Sequence, residues 1–208
     1  RYGRVRLWGS LGFLVTVFAA GAWFERFGMG SFPAWTALTL AAVLVCTWRL
    51  PDVKEPPHAH EQGEPIGPVL RRPAVRWFFA SLFFHVMAHF SIYAFYSLYL
   101  DQLGYSKGVI GALWGVSVLV EIGWFYLQGR LLGRWPMERW LVVCGVVVVA
   151  RMAVTASLGA WFIALLVAQL THALTFAAHH TACIALVSKH FPGRLRGRGQ
   201  AVFTVTGY

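Results

Sequence analysis

Glu121 lies inside the apolar run from Lys107 to Arg130, and Arg151 lies inside the run from Arg139 to about Leu158. A charge near the centre of a bilayer costs about 2.5 to 3.5 kcal/mol on insertion scales, so such residues pair and face a polar pathway. Counting inward from Arg130 and Arg139 at about 1.5 Å per residue puts Glu121 about 14 Å deep and Arg151 about 18 Å deep. A charge pair between adjacent helices is therefore within reach, and it points to transport. For Glu121 alone a carboxyl kept protonated in an apolar site is the simpler alternative; the pair explains both residues and strands neither.

Histidines supply a second set of candidates. His85 and His89 stand at i, i+4 and are followed by Tyr93 and Tyr96, a polar and aromatic stripe on one helical face that suits a cavity wall. The alternative for His85 is a hydrogen-bonded histidine at a helix contact. Further on, Gln169, His172, Phe176 and His179 fall near one face of another apolar run. On an ideal helix His172 and His179 differ by about 20°, whereas His180 is turned by about 80° from His172. A face this polar needs partners. Histidine changes charge near neutral pH, so His172 and His180 are candidates for a proton relay. A metal reading of His85-x-x-x-His89 and His179-His180, as in histidine-box membrane enzymes, asks for more histidines near one membrane face than His58, His60 and His190 provide. No metal and no cofactor is expected.

The elements that must carry these residues follow from composition. Of 208 residues 58% are hydrophobic and 12% charged, the balance of a membrane protein. Apolar stretches long enough to cross about 30 Å occur at roughly 7 to 24, 32 to 50, 75 to 100, 107 to 130, 139 to 158 and 160 to 188. A seventh starts near Gly199 and is cut off at Tyr208. The fold class is an all-α integral membrane protein. The chain starts at Arg1 without an initiator Met and stops within an apolar run, so it is expected to be an internal fragment, truncated at both ends.

The net charge of +10 raises the question of nucleic acid, and its distribution answers it. With alternate connections on opposite sides, fifteen Lys and Arg, among them Arg49, Arg72, Arg130 and Arg196, fall on one side and only Arg26 and Lys107 on the other. That bias marks the first side as cytoplasmic and excludes a nucleic-acid role. Cys46, Cys144 and Cys183 lie in three separate runs without CxxC spacing, and are expected to be buried packing thiols.

The only long connection, Pro51 to Ala74, holds six prolines, His58, His60 and mixed charges, and reads as a flexible cytoplasmic linker. Two helices precede it, in residues 1–50, and the remaining helices follow in residues 75–208. Glycines such as Gly12, Gly21, Gly111 and Gly115 are spaced for close helix approach.

Several segments together resemble the major facilitator superfamily, and within it the phenylpropionate-permease type, related to lactose permease. Tyr2-Gly3-Arg4-Val5-Arg6-Leu7-Trp8-Gly9-Ser10 looks like the start of that family's fifth helix. His89 to Tyr93, Gly104-Tyr105-Ser106, Ile110-Gly111, Leu113-Trp114 and Glu121 are similar to its seventh and eighth helices, and Arg151 to an arginine of the ninth. Gln169-x-x-His172-x-x-Thr175-Phe176-x-x-x-His180 is similar to its tenth. The resemblance implies the last two helices of one six-helix bundle in residues 1–50, a central loop in 51–74, and four full helices plus the start of a fifth from the second bundle in 75–208.

It also implies proton-coupled symport of a small organic solute by alternating access in the cell inner (plasma) membrane, the protein acting as a monomer whose partners are solute, protons and lipid. Glu121, Arg151 and His172 match the family's glutamate, arginine and histidine. The family's further glutamate, three residues after the histidine, is replaced by Thr175. His180 joins the proton-coupling candidates, and His89, Tyr93, Tyr96, Trp124, Gln169 and Phe176 are the substrate-binding candidates. An aromatic carboxylate such as phenylpropionate is the expected solute, with Tyr93, Tyr96 and Trp124 stacking on its ring and Arg151 holding the anion. A sugar or nucleoside symporter and a histidine-dependent membrane enzyme are the alternatives.

Overall fold

A computed structural model of the chain describes residues 2–51 and 65–207, and all regular structure among them is helical. The described residues form two compact units, Arg1–Ser10 with Gly63–Tyr208, and Leu11–Gln62. The smaller unit holds most of α1 (Tyr2–Phe27) and all of α2 (Phe32–Trp48). Trp23, Phe24, Phe27, Phe32 and Trp35 cluster where these two helices meet. Trp23 donates to Ser31 Oγ at 3.1 Å, and the Ser31 hydroxyl donates to Gly28 O at 3.0 Å, which closes the turn. No residue of α2 is buried. Cys46 is therefore exposed, against expectation, while Cys144 and Cys183 are buried.

In the larger unit the linker is shorter than its prolines suggest. Residues 52–64, with His58 and His60, lie outside the described residues, but Gly67–Leu70 forms a short helix, α3, and α4 already starts at Pro73. Val69 is buried, and Ile66 and Leu70 pack beside it on the core. The apolar group Ile66, Val69 and Leu70 docks because proline in the first turn gives up no helical hydrogen bond.

The remaining helices are α4 (Pro73–Gln102), α5 (Lys107–Leu131), α6 (Met137–Ser157), α7 (Phe162–Leu170), α8 (His179–His190) and α9 (Leu195–Gly207). Gly104, at φ +85°, ends the first of these hairpins in a conformation that a side chain resists, and Ser106 caps α5 by accepting from Val109 N. The last helix begins at Leu195, four residues before the expected start, since Leu195 buries against Phe191 and Phe203 despite the arginines around it. Among the described residues five segments are long and apolar enough to cross a membrane, and Phe32–Trp48 is a shorter apolar helix. Glycine spacing does not mark the close contacts: a Cβ on Gly12, Gly21, Gly111 or Gly115 would meet nothing within 4 Å. Close approach falls instead to the fully buried Ala177, Ala178 and Ala182, against Trp124, Phe125, Trp140 and Cys144.

Apolar packing caps both ends of α4. Near its start Val75, Phe78 and Leu82 meet α8 and α9, and near its end Ile92, Tyr96 and Leu100 meet Ile110, Leu113 and Leu165. Between these clusters lies a buried polar layer containing His85, His89, Ser117, Glu121, Arg151, Gln169, His172, Thr175 and His179. The layer is where two long, mostly apolar hairpins keep their few polar side chains, because none can be satisfied by lipid.

Candidate functional site

Arg151 organises the layer. It projects from α6, is 3% exposed, and donates three hydrogen bonds: Nη2 to Gln169 Oε1 at 2.5 Å, Nη1 to Thr175 Oγ1 at 2.9 Å, and Nη1 to His172 Nδ1 at 3.1 Å. All three acceptors come from one segment, Phe162–His190, which is not a continuous α-helix. Between α7 and α8 the chain widens into a π-helical turn, Ala173–Ala178. The angles expected for His179 and His180 assumed ideal α geometry and do not hold across this turn.

The charge pair expected between Glu121 and Arg151 is not direct. His172 stands between them, with Nδ1 on Arg151 and Nε2 3.6 Å from Glu121 Oε2. An N–H donor on Nδ1 requires a lone pair there, so the proton sits on Nε2 and faces the carboxylate. Glu121 Oε1 accepts from the hydroxyl of Ser10 on α1 at 2.7 Å. The count along the helices put the two charges within reach of each other; it could not see a third side chain filling the gap.

The other candidates divide. Phe176 stacks on His172 with ring centres 5.2 Å apart and lies nearly parallel to His180 at 6.3 Å. His180 also faces Phe203 of α9 at 5.9 Å. His89 is buried beside this group, 6.1 Å from the His172 ring and 6.3 Å from Phe176. Tyr93 is 46% exposed and lies nearly parallel to Trp114 at 5.8 Å, while Tyr96 is buried with its edge toward the same indole at 5.5 Å. Trp124, one turn beyond Glu121, packs edge-on against Trp140, away from these tyrosines, and its Nε1 meets no acceptor among the described residues. Of the trio expected to stack on one ring, Tyr93, Tyr96 and Trp124, the two tyrosines therefore meet Trp114 and not Trp124. His179 stacks on His85 at 3.6 Å instead of joining the Arg151 group.

Sequence reasoning missed Ser10 as a carboxylate partner and Thr175 as an arginine ligand. The one signal for Thr175 was its position three residues after His172. Among the described residues no group of three or more His, Cys, Asp and Glu is placed to hold a metal ion.

A family model described as the MFS_1 like family matches residues 1–208. The chain belongs to this family. MFS_1 like proteins are multi-pass membrane transporters, so the histidine-dependent enzyme alternative falls. Among named relatives, this family member is similar to a protein of Escherichia coli (strain K12) named "Probable 3-phenylpropionic acid transporter", at 31% identity over 193 residues, which is 90% of this chain and 50% of that one. It is also similar to a "Maltose permease" of Geobacillus stearothermophilus, 30% identical over 173 residues, 78% of this chain and 41% of the relative. The chain spans about half the length of these relatives or less. No solved structure matches it significantly.

Proposed function

We propose that this chain is part of a proton-coupled symporter for a small organic anion, an aromatic carboxylate such as 3-phenylpropionate, working by alternating access in the cell inner membrane. The observation that carries this reading is the set of partners around Arg151. A buried guanidinium needs compensation of its charge as well as of its N–H groups. Here the acceptors are an amide, a hydroxyl and an imidazole, all neutral, and Glu121 lies on the far side of His172. A carboxylate entering beside Arg151 supplies the missing charge through charge-assisted bonds.

Coupling follows from the same balance. A second carboxylate in a low-dielectric layer that already holds Glu121 leaves excess negative charge, which a proton on Glu121 or His172 cancels. Protonating His172 places a proton on Nδ1 and expels the Arg151 donor, freeing the guanidinium for the solute. Anion and proton therefore enter together. Tyr93 and Trp114 offer parallel faces for an aromatic ring. The helices before Pro51 belong in this reading to one bundle and those from α4 onward to the other, with the connection between them on the cytoplasmic side by Lys54, Arg71 and Arg72.

Maltose permease among the relatives supports a second reading, a sugar symporter, in which Trp124 Nε1 and His89 Nε2, both without partners among the described residues, would meet hydroxyls. Uptake of labelled 3-phenylpropionate, its neutral amide and maltose by the full-length protein in energised vesicles separates the readings. Proton-dependent accumulation of the acid alone is expected. Equal uptake of acid and amide, or uptake of maltose alone, overturns the anion assignment.

A further inference from the structure

The backbone carbonyl of Thr175 has lost its α-helical donor. In an α-helix it would accept from the N–H of His179, four residues on. In the wide turn Ala173–Ala178 that N–H goes to Leu174 O and Phe176 O instead. The freed carbonyl accepts from Nε2 of His85 on α4, 2.6 Å away and buried. A carbonyl can only accept, so Nε2 carries the proton. The ring is aimed by its neighbours: it lies flat on His179, 4° from parallel, with His89 5.0 Å away along α4, and His89 Nδ1 donates to the His85 carbonyl at 3.3 Å. The residue whose carbonyl His85 holds is the one whose hydroxyl accepts from Arg151.

We propose that His85 is a positioning residue for the Arg151 site, its Nε2–H holding the π turn open so that His172 and Thr175 both reach the guanidinium. Without that donor the Thr175 carbonyl loses its side-chain partner in a buried layer, which is costly where no water reaches. The cheapest repair returns the His179 N–H to Thr175 and closes the turn to α. Removing one residue from the turn rotates α7 against α8 by about 100° and slides it by about 1.5 Å. Gln169, His172 and Thr175 then no longer converge on one side chain. A π turn is thereby kept where the site needs it, by a histidine that never touches the solute.

The test compares two substitutions in the full-length protein. His85→Gln keeps a donor near the Nε2 position, and His85→Phe keeps a flat ring against His179 without an N–H. Their structures by cryo-electron microscopy are expected to retain the π turn in H85Q and to lose it, with the Arg151–Thr175 bond, in H85F. Should H85F fail to fold, H85N takes its place, since its amide reaches only the Nδ1 position. A π turn that persists in the donor-free variant with Thr175 still on Arg151, or that is lost equally in H85Q, overturns the proposal. This readout needs no solute, so it stands or falls apart from the transport reading. In uptake of labelled 3-phenylpropionate, H85F is expected to raise KM about tenfold with Vmax within about twofold, and H85Q to restore KM.

Discussion

Arg151 donates from Nη1 to Nδ1 of His172 across 3.1 Å, and that contact fixes which nitrogen of the imidazole holds the proton. The histidine can then serve Arg151 or take up a second proton, but not both. In the proposed symport this choice between two hydrogen-bond arrangements is the bistable element that links proton to solute.

Arg151→Lys keeps the charge and loses the fork. An ammonium cannot offer the solute's carboxylate two parallel bonds, so KM for labelled 3-phenylpropionate is expected to rise about tenfold or more. Uptake of the neutral amide serves as the control. If lysine transports the acid with unchanged KM, the guanidinium is not the anion's partner.

Glu121→Gln removes the carboxylate that faces His172 and accepts from Ser10. The variant is expected to exchange solute across the membrane yet fail to accumulate it against a gradient, read as counterflow without active uptake. Accumulation with an unaltered proton requirement would show that another group carries the coupling proton.

Thr175→Glu places a carboxylate on Arg151, where the hydroxyl now accepts at 2.9 Å. Because the solute's carboxylate must compete with it, KM for the acid is expected to rise about tenfold or more, with the neutral amide unaffected. Thr175→Val, which only deletes one bond to a charged group, is expected to have the smaller effect. Tighter acid binding in T175E would contradict the charge argument.

Gly199→Ala tests the packing of α9. A Cβ there would overlap the ring of Phe191, which is wholly buried and has nowhere to turn. A cost of about 1 to 3 kcal/mol is expected from overpacking, read as a lower melting temperature of the purified protein in detergent. Gly111→Ala, whose Cβ meets open space, is the control and should leave it unchanged.

Most of the helices were legible in the sequence, since a stretch long and apolar enough to cross lipid has no other stable form. The spans around His85, Glu121 and Arg151 appear within a few residues of where hydropathy puts them. The errors have physical causes. Ile66, Val69 and Leu70 found a core to dock on, which a proline count cannot reveal. A Cβ on Gly111 or Gly115 would meet nothing within 4 Å, whereas the small residues packed in the core are alanines.

By itself the sequence determined that this is a membrane protein with a glutamate, an arginine and histidines inside its apolar spans, where each costs too much in lipid to be there without partners. Which partners they take was decided by the tertiary structure alone. His172 rather than Arg151 meets Glu121, the Thr175 hydroxyl is an arginine ligand, and Ser10 arrives from 111 residues away. Helical periodicity assumes a constant twist, and one π turn resets it; no count along the chain could place His172 and Thr175 on the same guanidinium.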